Sequence, residues 1–185
     1  MILDIGFLDD ATRPTVPPLE GVTPAQKAAG EHLKEIHDHL RDNVSTLETL
    51  IERAAIGLAS TEEIAAETGA MTMVANFRRF GNLCGQYCQV VNTHHAIEDY
   101  HLFPRIAELS DGYRRVADRL RAEHVVVHEL LERQIETLTA LAEEPTPAHF
   151  ANARTVFDAL KRVLLSHLGY EEEQIGDALG YYGVM

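Results

Sequence analysis

Long segments of this chain place apolar residues three, four or seven positions apart. The first of them carries the apolar stripe Leu33, Leu40, Val44, Leu47 and Ile51. This spacing puts the apolar side chains on one face of an α-helix, and that face must be buried against other helices. We find no segment with the alternating pattern of a half-buried strand. The sequence therefore predicts an all-α fold.

Four such helices are predicted, at about residues 24–58, 70–103 with a further turn to 109, 113–141 and 148–179. Thr23 followed by Pro24 is a typical helix start, with a capping side chain and a first-turn proline. Long amphipathic helices with short connections predict an antiparallel up-down-up-down four-helix bundle over residues 23–180. Residues 1–22 contain three prolines and are predicted to form an extended N-terminal arm, and residues 181–185 a C-terminal tail.

Composition limits the partners and the compartment. A length of 185 residues, of which 45% are hydrophobic, suits one domain with a sizeable core. The net charge of -13 argues against nucleic acid or an anionic membrane surface as a partner. Cys84 and Cys88, four apart in a helical segment, fit a reduced cytosol better than a disulfide framework. The acidic N-terminus does not resemble a secretory signal, and no apolar run approaches the ~20 residues of a membrane span. We therefore expect a cytoplasmic protein; the oligomeric state is left open.

Histidine is the conspicuous residue, with ten copies, and several lie on the inward faces of the predicted helices. On the first helix, His37 fills a gap in the apolar stripe. On the other three helices, inward-facing donors come in pairs four residues apart, so that both members of a pair lie on one face. These pairs are His94 and Glu98, His124 and His128, and His167 and Glu171.

Counting helical turns places all four sets of donors at one level, in the middle of the bundle. Five imidazoles and two carboxylates in an apolar centre cannot all find partners, and each unpaired group would cost about 1–3 kcal/mol. Metal coordination satisfies them together. Seven donors exceed the four of a structural zinc site and suit two adjacent metals with two bridging carboxylates. Imidazole and carboxylate without thiolate favour iron, with manganese or zinc as the alternatives.

These motifs resemble those of the hemerythrin family, the His-His-Glu cation-binding four-helix bundles. The matching stretches are His37-Asp-His-Leu-Arg41, His94-His-Ala-Ile-Glu-Asp99 before Leu102-Phe-Pro104, Glu123-His-Val-Val-Val-His128 and His167-Leu-Gly-Tyr-Glu-Glu172. The resemblance covers about residues 24–180. It implies two iron ions with a μ-oxo or hydroxo bridge, held by His37, His94, Glu98, His124, His128, His167 and Glu171.

The fourth motif departs from the family pattern. Oxygen-carrying members have Asp five residues after the fourth-helix His, whereas here Glu171 follows His167 at four and Glu172 at five. A longer carboxylate nearer the His changes how it can bridge, which argues against reversible oxygen carriage; the choice of Glu171 or Glu172 as the bridge is left open. The chain most resembles the hemerythrin-like branch found in actinobacteria. That resemblance implies a diiron oxidoreductase that binds peroxide or small diatomic ligands, decomposing hydrogen peroxide or scavenging nitric oxide. The alternatives are oxygen binding, iron sensing or storage, and a purely structural metal site.

Three further residues are candidates for contacts behind the ligands or for proton transfer. His101 lies one turn beyond Glu98 and creates the Glu-x-x-His motif of ferritin-like di-iron proteins, but such sites need two copies and we find no second. Tyr170 and Tyr87 lie near the inward faces of their helices. Direct coordination by one of these tyrosines is left open.

His95 adjoins His94 and, one helical step of about 100° further round, is not expected to share its face. An apolar shell is expected to keep the centre dry and to admit only small molecules. That shell consists of Leu40, Val44, Val127 and Leu164.

Overall fold

The computed structural model describes residues 2–60, 87–144 and 146–184. Every regular secondary-structure element in these ranges is a helix. Helix α1 spans Pro24–Ser60, α3 spans Asp111–Glu143 and α4 spans Pro147–Tyr181. Helix α2 is described over 87–107: an α-helical part at 87–97, a π-helical turn at Glu98–Leu102 and a last α-helical turn at Phe103–Ala107. The four helices form a bundle, which confirms the predicted all-α class. The predicted start of the second helix near residue 70 lies outside the described residues.

The helix starts follow from local side-chain hydrogen bonds. Thr23 N donates to Gln26 Oε1 at 2.9 Å and Gln26 N donates to Thr23 Oγ1 at 3.3 Å, so that the two residues cap the start of α1 reciprocally. Pro24 occupies the first helical position, where its missing N–H costs nothing. Ser110 and Thr146 cap α3 and α4, each accepting a backbone N–H three residues on.

Helix α2 changes its hydrogen-bonding pattern where Pro104 approaches. Proline has no N–H to donate and its ring crowds the carbonyl of Tyr100, so an α-helical turn is disfavoured here. Instead, Phe103 N donates to Glu98 O, five residues back, and the helix continues through a wider π-helical turn. The helix therefore continues beyond Pro104, as the predicted further turn requires.

Buried side chains form two apolar clusters with a polar layer between them. Each helix contributes to the first cluster, for example with Leu40, Val91, Val127 and Leu168. Each also contributes to the second cluster, for example with Leu33, Phe103, Leu120 and Ile175. In α1, α2 and α3, the buried His or Glu residues lie between the contributions of the helix to the two clusters. In α4, His167 and Glu171 flank the change from the first cluster, at Leu168, to the second, at Tyr170. The polar layer is thus enclosed by apolar packing on both sides.

Helices α1 and α4 approach each other closely through glycine. A Cβ on Gly30 would lie 2.6 Å from the carbonyl oxygen of Gly176, and a Cβ on Gly180 would overlap the backbone of Gln26. Only glycine allows this separation of the two helices. The contacts fix the distance between the helices that carry His37 and the fourth-helix donors.

The N-terminal arm lies on α3 and α4. The Tyr170 hydroxyl donates to Pro14 O at 2.6 Å, and Val16 N donates to Gln174 Oε1 at 2.9 Å. A short 3-10 helix, Asp10–Thr12, forms part of the arm. Partly buried arm residues pack on both apolar clusters: Leu3 and Ile5 on the first, Val16 and Leu19 on the second.

At the other end of the chain, Val184 is 4% exposed and joins the second cluster, and its N–H donates to Leu179 O at 2.8 Å. Cys88 is buried in the first cluster, whereas Cys84 lies outside the described residues. Over the part of the chain that the structure describes, no helix combines the length and apolar character needed to cross a membrane.

Candidate metal centre

The polar layer contains two groups of nitrogen and oxygen donors. The mixed group consists of His37, His94, Glu98 and Glu171, and the three-histidine group consists of His95, His124 and His167. Within each group the donor atoms lie within 4.8 Å of one another. None of these seven side chains is more than 9% exposed. The structure therefore brings together six of the seven predicted ligands and adds His95.

In the three-histidine group, two imidazole lone pairs face each other. His124 Nδ1 lies 3.0 Å from Asp99 Oδ1, and His167 Nδ1 lies 3.1 Å from Glu123 Oε2. An ionised carboxylate only accepts, so in the neutral rings both Nδ1 atoms carry the proton and both Nε2 atoms carry lone pairs. These two Nε2 atoms are 3.1 Å apart. Two lone pairs at this distance repel each other, and a cation that accepts both removes the repulsion.

The two buried glutamates reach both groups. Glu98 Oε1 lies 3.1 Å from His94 Nε2, and its Oε2 lies 3.5 Å from His124 Nε2. Glu171 Oε2 lies 3.6 Å from His37 Nε2 and 3.6 Å from His167 Nε2. All four oxygens of the two carboxylates are buried with no hydrogen-bond partner among the described residues. Carboxylates buried in this way are costly unless they bind a metal.

Burial shifts the protonation of both kinds of donor toward neutrality. It lowers the pKa of His37 and of His94 to about 3, an effect that neighbouring histidines strengthen. Burial also raises the pKa of Glu171 to about 7 and raises that of Glu98, which in addition faces Glu171. The imidazoles can therefore bind a metal without first losing a proton, whereas the glutamates release protons when a metal binds.

Three further carboxylates hold the outward nitrogens of the candidate ligands. The pairs are His37 Nδ1 with Glu172 Oε1 at 2.8 Å, His124 Nδ1 with Asp99 Oδ1 at 3.0 Å, and His167 Nδ1 with Glu123 Oε2 at 3.1 Å. Such carboxylates fix the tautomer and orientation of metal-binding histidines. Sequence reasoning missed Asp99 and Glu123 in this role, although each follows or precedes a candidate ligand directly in the chain.

The structure separates the roles of the two adjacent glutamates on α4. Glu171 is fully buried between the two donor groups. Glu172 lies outside them, where its Oε1 accepts from His37 and, at 2.8 Å, from Arg41 Nη2. Glu171, four residues after His167, thus points inward, and Glu172 contacts the candidate ligand His37 on α1.

His95 and His128 occupy positions that the sequence did not anticipate. His95 is fully buried, its ring stacks on His124 with centroids 3.7 Å apart, and its Nε2 has no hydrogen-bond partner among the described residues. His128 is only partly buried and lies behind His95, with its Nε2 3.1 Å from His95 Nδ1. His94 and His95 do lie on different faces of α2, as the helical step predicts, but each is a member of a donor group. The signal in the sequence was the His-His doublet itself.

The three remaining candidates, Tyr170, Tyr87 and His101, have different surroundings. Tyr170 is buried and its hydroxyl is held by the arm, while burial and the nearby Glu123 raise its pKa to about 12. Tyr87 is buried in the first apolar cluster. His101 is exposed, on the wall of a groove that also reaches His94.

The residues of the expected apolar shell all lie on one side of the polar layer, and the second apolar cluster lies on the other side. The four shell residues, Leu40, Val44, Val127 and Leu164, are all buried in the first cluster. Between α1 and α2, however, a groove of about 790 Å³ extends to His94 and Glu98. At its inner wall His94 is 9% and Glu98 2% exposed, so the expectation that only small molecules reach the centre stays a prediction.

Comparison with known protein families gives a match over the region that carries most of these donors. The family model described as the hemerythrin HHE cation binding domain matches residues 58–179. Comparisons with curated proteins and with solved structures give no match. The matched range excludes most of α1, so the position of His37 beside the other donors is a result of the structure. Since the match covers more than half of the chain and contains the donors of α2, α3 and α4, the chain belongs to the hemerythrin HHE cation-binding family.

Proposed function

We propose that this protein is a non-heme diiron oxidoreductase that decomposes hydrogen peroxide, scavenges nitric oxide, or does both. The observation that carries the proposal is that Glu98 and Glu171 each contact imidazoles of both donor groups while their oxygens lack other partners. One metal would satisfy only one group. Two metals joined by both carboxylates satisfy all the donors.

In this proposal the centre contains two irons with an oxo or hydroxo bridge. His37 and His94 would hold one iron and His124 and His167 the other, with Glu98 and Glu171 within reach of both. The third imidazole for the second iron would be His95, which belongs to the three-histidine group and whose Nε2 has no hydrogen-bond partner among the described residues. His128 holds the other nitrogen of His95 in the described arrangement, and its predicted role as a direct ligand is tested separately below.

We also propose that the bundle is antiparallel, up-down-up-down. The order in which each helix passes the two apolar clusters supports this arrangement. Along α1, Leu33 of the second cluster precedes Leu40 of the first, whereas along α2, Val91 of the first precedes Phe103 of the second. Helix α3 repeats the order of α1, and α4 repeats that of α2. Adjacent helices in sequence thus run in opposite directions through the polar layer.

The chemistry of the donor set supports iron as the metal. Seven nitrogen and oxygen donors without a thiolate are unlike a four-coordinate structural zinc site. A redox-active iron pair would supply the electrons that reaction with peroxide or nitric oxide exchanges. The protein side chains contribute neutral buried imidazoles, two apolar clusters that exclude water on both sides of the polar layer, and a groove between α1 and α2 for entry. His101, exposed on the groove wall, is placed to exchange a proton with a reactant there.

Iron reconstitution tests the proposal. The protein should bind about two irons per chain, show near-ultraviolet oxo-to-iron absorption, and release oxygen from added peroxide or consume nitric oxide. Substitution His167→Ala should reduce all of these, whereas His39→Ala, at an exposed position on α1, should change none. A single bound zinc without iron-dependent absorption would overturn the proposal. A stable spectrum that reverses when oxygen is removed, without peroxide or nitric oxide turnover, would instead identify an oxygen-binding protein.

A further inference from the structure

The groove between α1 and α2 is apolar along most of its length. Its volume, about 790 Å³, lies in the range that binds organic ligands of drug size, roughly 300–1,000 Å³. This is far larger than a peroxide or diatomic molecule requires. Its apolar walls include Leu33, Ile36, Val90, Ile97, Leu102 and Val184.

Two of the wall residues are unusually exposed for their type. Val90 is 49% exposed and Ile97 is 57% exposed, both on the same side of α2. Covering such side chains with an apolar ligand is favourable by roughly 25 cal/mol per Å² removed from water. The inner wall contains His94 and Glu98 of the mixed donor group, so an occupant lies against the edge of the candidate metal centre.

One end of the groove carries a cation. Arg105 lines the groove, is exposed, and donates to Gly183 O at 3.2 Å; it forms no ion pair with any described residue. His101 lies on the same wall. In a chain with a net charge of -13, an unpaired arginine beside an apolar groove favours an anionic group at this end.

The spacing along α2 sets the length of the occupant. Arg105 follows His94 by eleven residues, which corresponds to about 16 Å along the helix at ~1.5 Å per residue. A second copy of the chain could cover the rim, but Glu98, only 2% exposed, forms part of the inner wall and is reached by a slender molecule more readily than by a helix.

We propose that this groove binds an amphipathic organic anion, with its charged head at Arg105 and its apolar chain extending along Ile97 toward His94. A medium-chain carboxylate, whose extended length is comparable to that of the groove, has the required chemistry. The binding needs no metal and no turnover, so it goes beyond the proposed function and can be tested apart from it.

Titration calorimetry with dodecanoate, below its micelle concentration, tests the binding in both metal-free and iron-loaded protein. We expect saturable binding of one dodecanoate per chain with a Kd in the micromolar range. Dodecyltrimethylammonium, with the same chain and a cationic head, should bind at least tenfold more weakly.

Matched variants separate the groove from other exposed apolar sites. Ile97→Glu should weaken dodecanoate binding at least tenfold, whereas Ile135→Glu, at a 48% exposed site on α3 outside the groove, should leave it unchanged. Arg105→Gln should weaken binding of dodecanoate but not of dodecanol, and Arg114→Gln should affect neither. Circular dichroism verifies that each variant is folded.

Three outcomes would overturn the inference: no saturable binding, equal effects of Ile97→Glu and Ile135→Glu, or equal affinity for the anionic and cationic probes. A wild-type dimer that Ile97→Glu converts to monomer in sedimentation would assign the groove to a second copy and would also overturn it. Loss of iron binding with intact dodecanoate binding would count against the proposed function alone.

Discussion

Arg13 in the N-terminal arm holds Glu123 on α3 through two parallel contacts, Nε to Oε1 at 2.8 Å and Nη2 to Oε2 at 3.0 Å. Arg119 adds a third contact, from its Nε to Glu123 Oε1 at 2.6 Å. Although burial alone would raise the pKa of Glu123, hydrogen bonds from His167 and the two arginines lower it to about 2. Glu123 is therefore ionised and fixed, and it holds Nδ1 of His167. The arm is thus connected to the candidate metal centre through one carboxylate.

Substitution Arg13→Gln should reduce the free energy of unfolding by about 1–3 kcal/mol, because it removes charged hydrogen bonds from a carboxylate that is only 5% exposed. Arg119 continues to contact Glu123, which keeps the loss below that of a fully unpaired buried charge. Urea denaturation measures the change. Arg114→Gln, which removes an exposed ion pair with Asp111, should stay within about 0.5 kcal/mol of the wild type. Equal effects of the two variants would show that the arm contributes nothing through Glu123.

Substitution of His95 and of His128 should have unequal effects on metal content. If the described arrangement persists with iron bound, His95→Ala removes a donor and lowers bound iron toward one per chain, whereas His128→Ala removes only a contact to His95 Nδ1. Loss of such a supporting contact typically costs 10–100-fold in affinity while leaving the number of sites unchanged. Iron titration followed by metal analysis distinguishes the two results.

The reverse result is also informative. If His128→Ala lowers the iron content and His95→Ala does not, the pair four residues apart on α3 supplies both ligands, as the sequence pattern predicts. The metal-free arrangement would then differ from the iron-bound one at this single position. His39→Ala serves as the control for general effects of removing a histidine.

The sequence predicts well what depends on helical periodicity. His37, His124 and Glu171 interrupt apolar stripes, so their inward direction follows from the 3.6-residue repeat alone. The burial of all three, and their convergence with donors from α2, agrees with that reasoning. The same periodicity predicts the starts of α1, α3 and α4 to within two residues, since each also has a capping residue in front of it.

What the sequence could not supply depends on contacts between helices. His95 belongs to the three-histidine group and its neighbour His94 to the mixed group, so α2 contributes to both donor groups. The pattern of apolar residues along one helix does not reveal this. The carboxylates behind the ligands, such as Asp99 and Glu123, are recognised only when an Nδ1 atom is found beside them. The path of the arm likewise depends on contacts such as Tyr170 with Pro14, 156 residues apart in the chain.

The metal-free protein should lose stability on acidification below neutral pH. The pKa of His37 and of His94 is about 3 in the folded protein, against 6.5 for an unperturbed histidine, because burial disfavours the charged ring. Between these values the unfolded chain binds more protons, so stability is complete above about pH 6.5 and is lost progressively as the pH falls toward 3. Burial lowers the pKa of His95, His124 and His128 as well.

Two groups oppose this trend. Burial raises the pKa of Glu171 to about 7 and raises that of Glu98, so these two carboxyls favour the folded state at acidic pH and lose that contribution as the pH rises. Five histidines outweigh two carboxyls, and thermal unfolding of metal-free protein should therefore give a lower Tm at pH 5 than at pH 7. A Tm that rises on acidification would mean that the glutamates dominate.

The close contact of α1 and α4 gives a final test of how the fold positions the centre. In Gly30→Ala, the added Cβ would lie 2.6 Å from a backbone oxygen on α4, so the helices must separate. Overpacking of this kind typically costs about 1–3 kcal/mol in the free energy of unfolding. Gly169→Ala is the matched control: it lies on α4 with no atom within 4 Å of its new Cβ, and it should stabilise the protein by up to about 1 kcal/mol through helix propensity.

The two glycine variants should also differ in metal binding. Separation of α1 from α4 moves His37 away from Glu171. In the mixed group, His37 Nε2 lies 3.6 Å from Glu171 Oε2. Gly30→Ala should therefore weaken iron binding even at a temperature where the variant remains folded, whereas Gly169→Ala should leave it unchanged. If Gly30→Ala loses stability but binds iron as tightly as the wild type, then the metal itself, rather than the glycine contact, sets the distance between the helices.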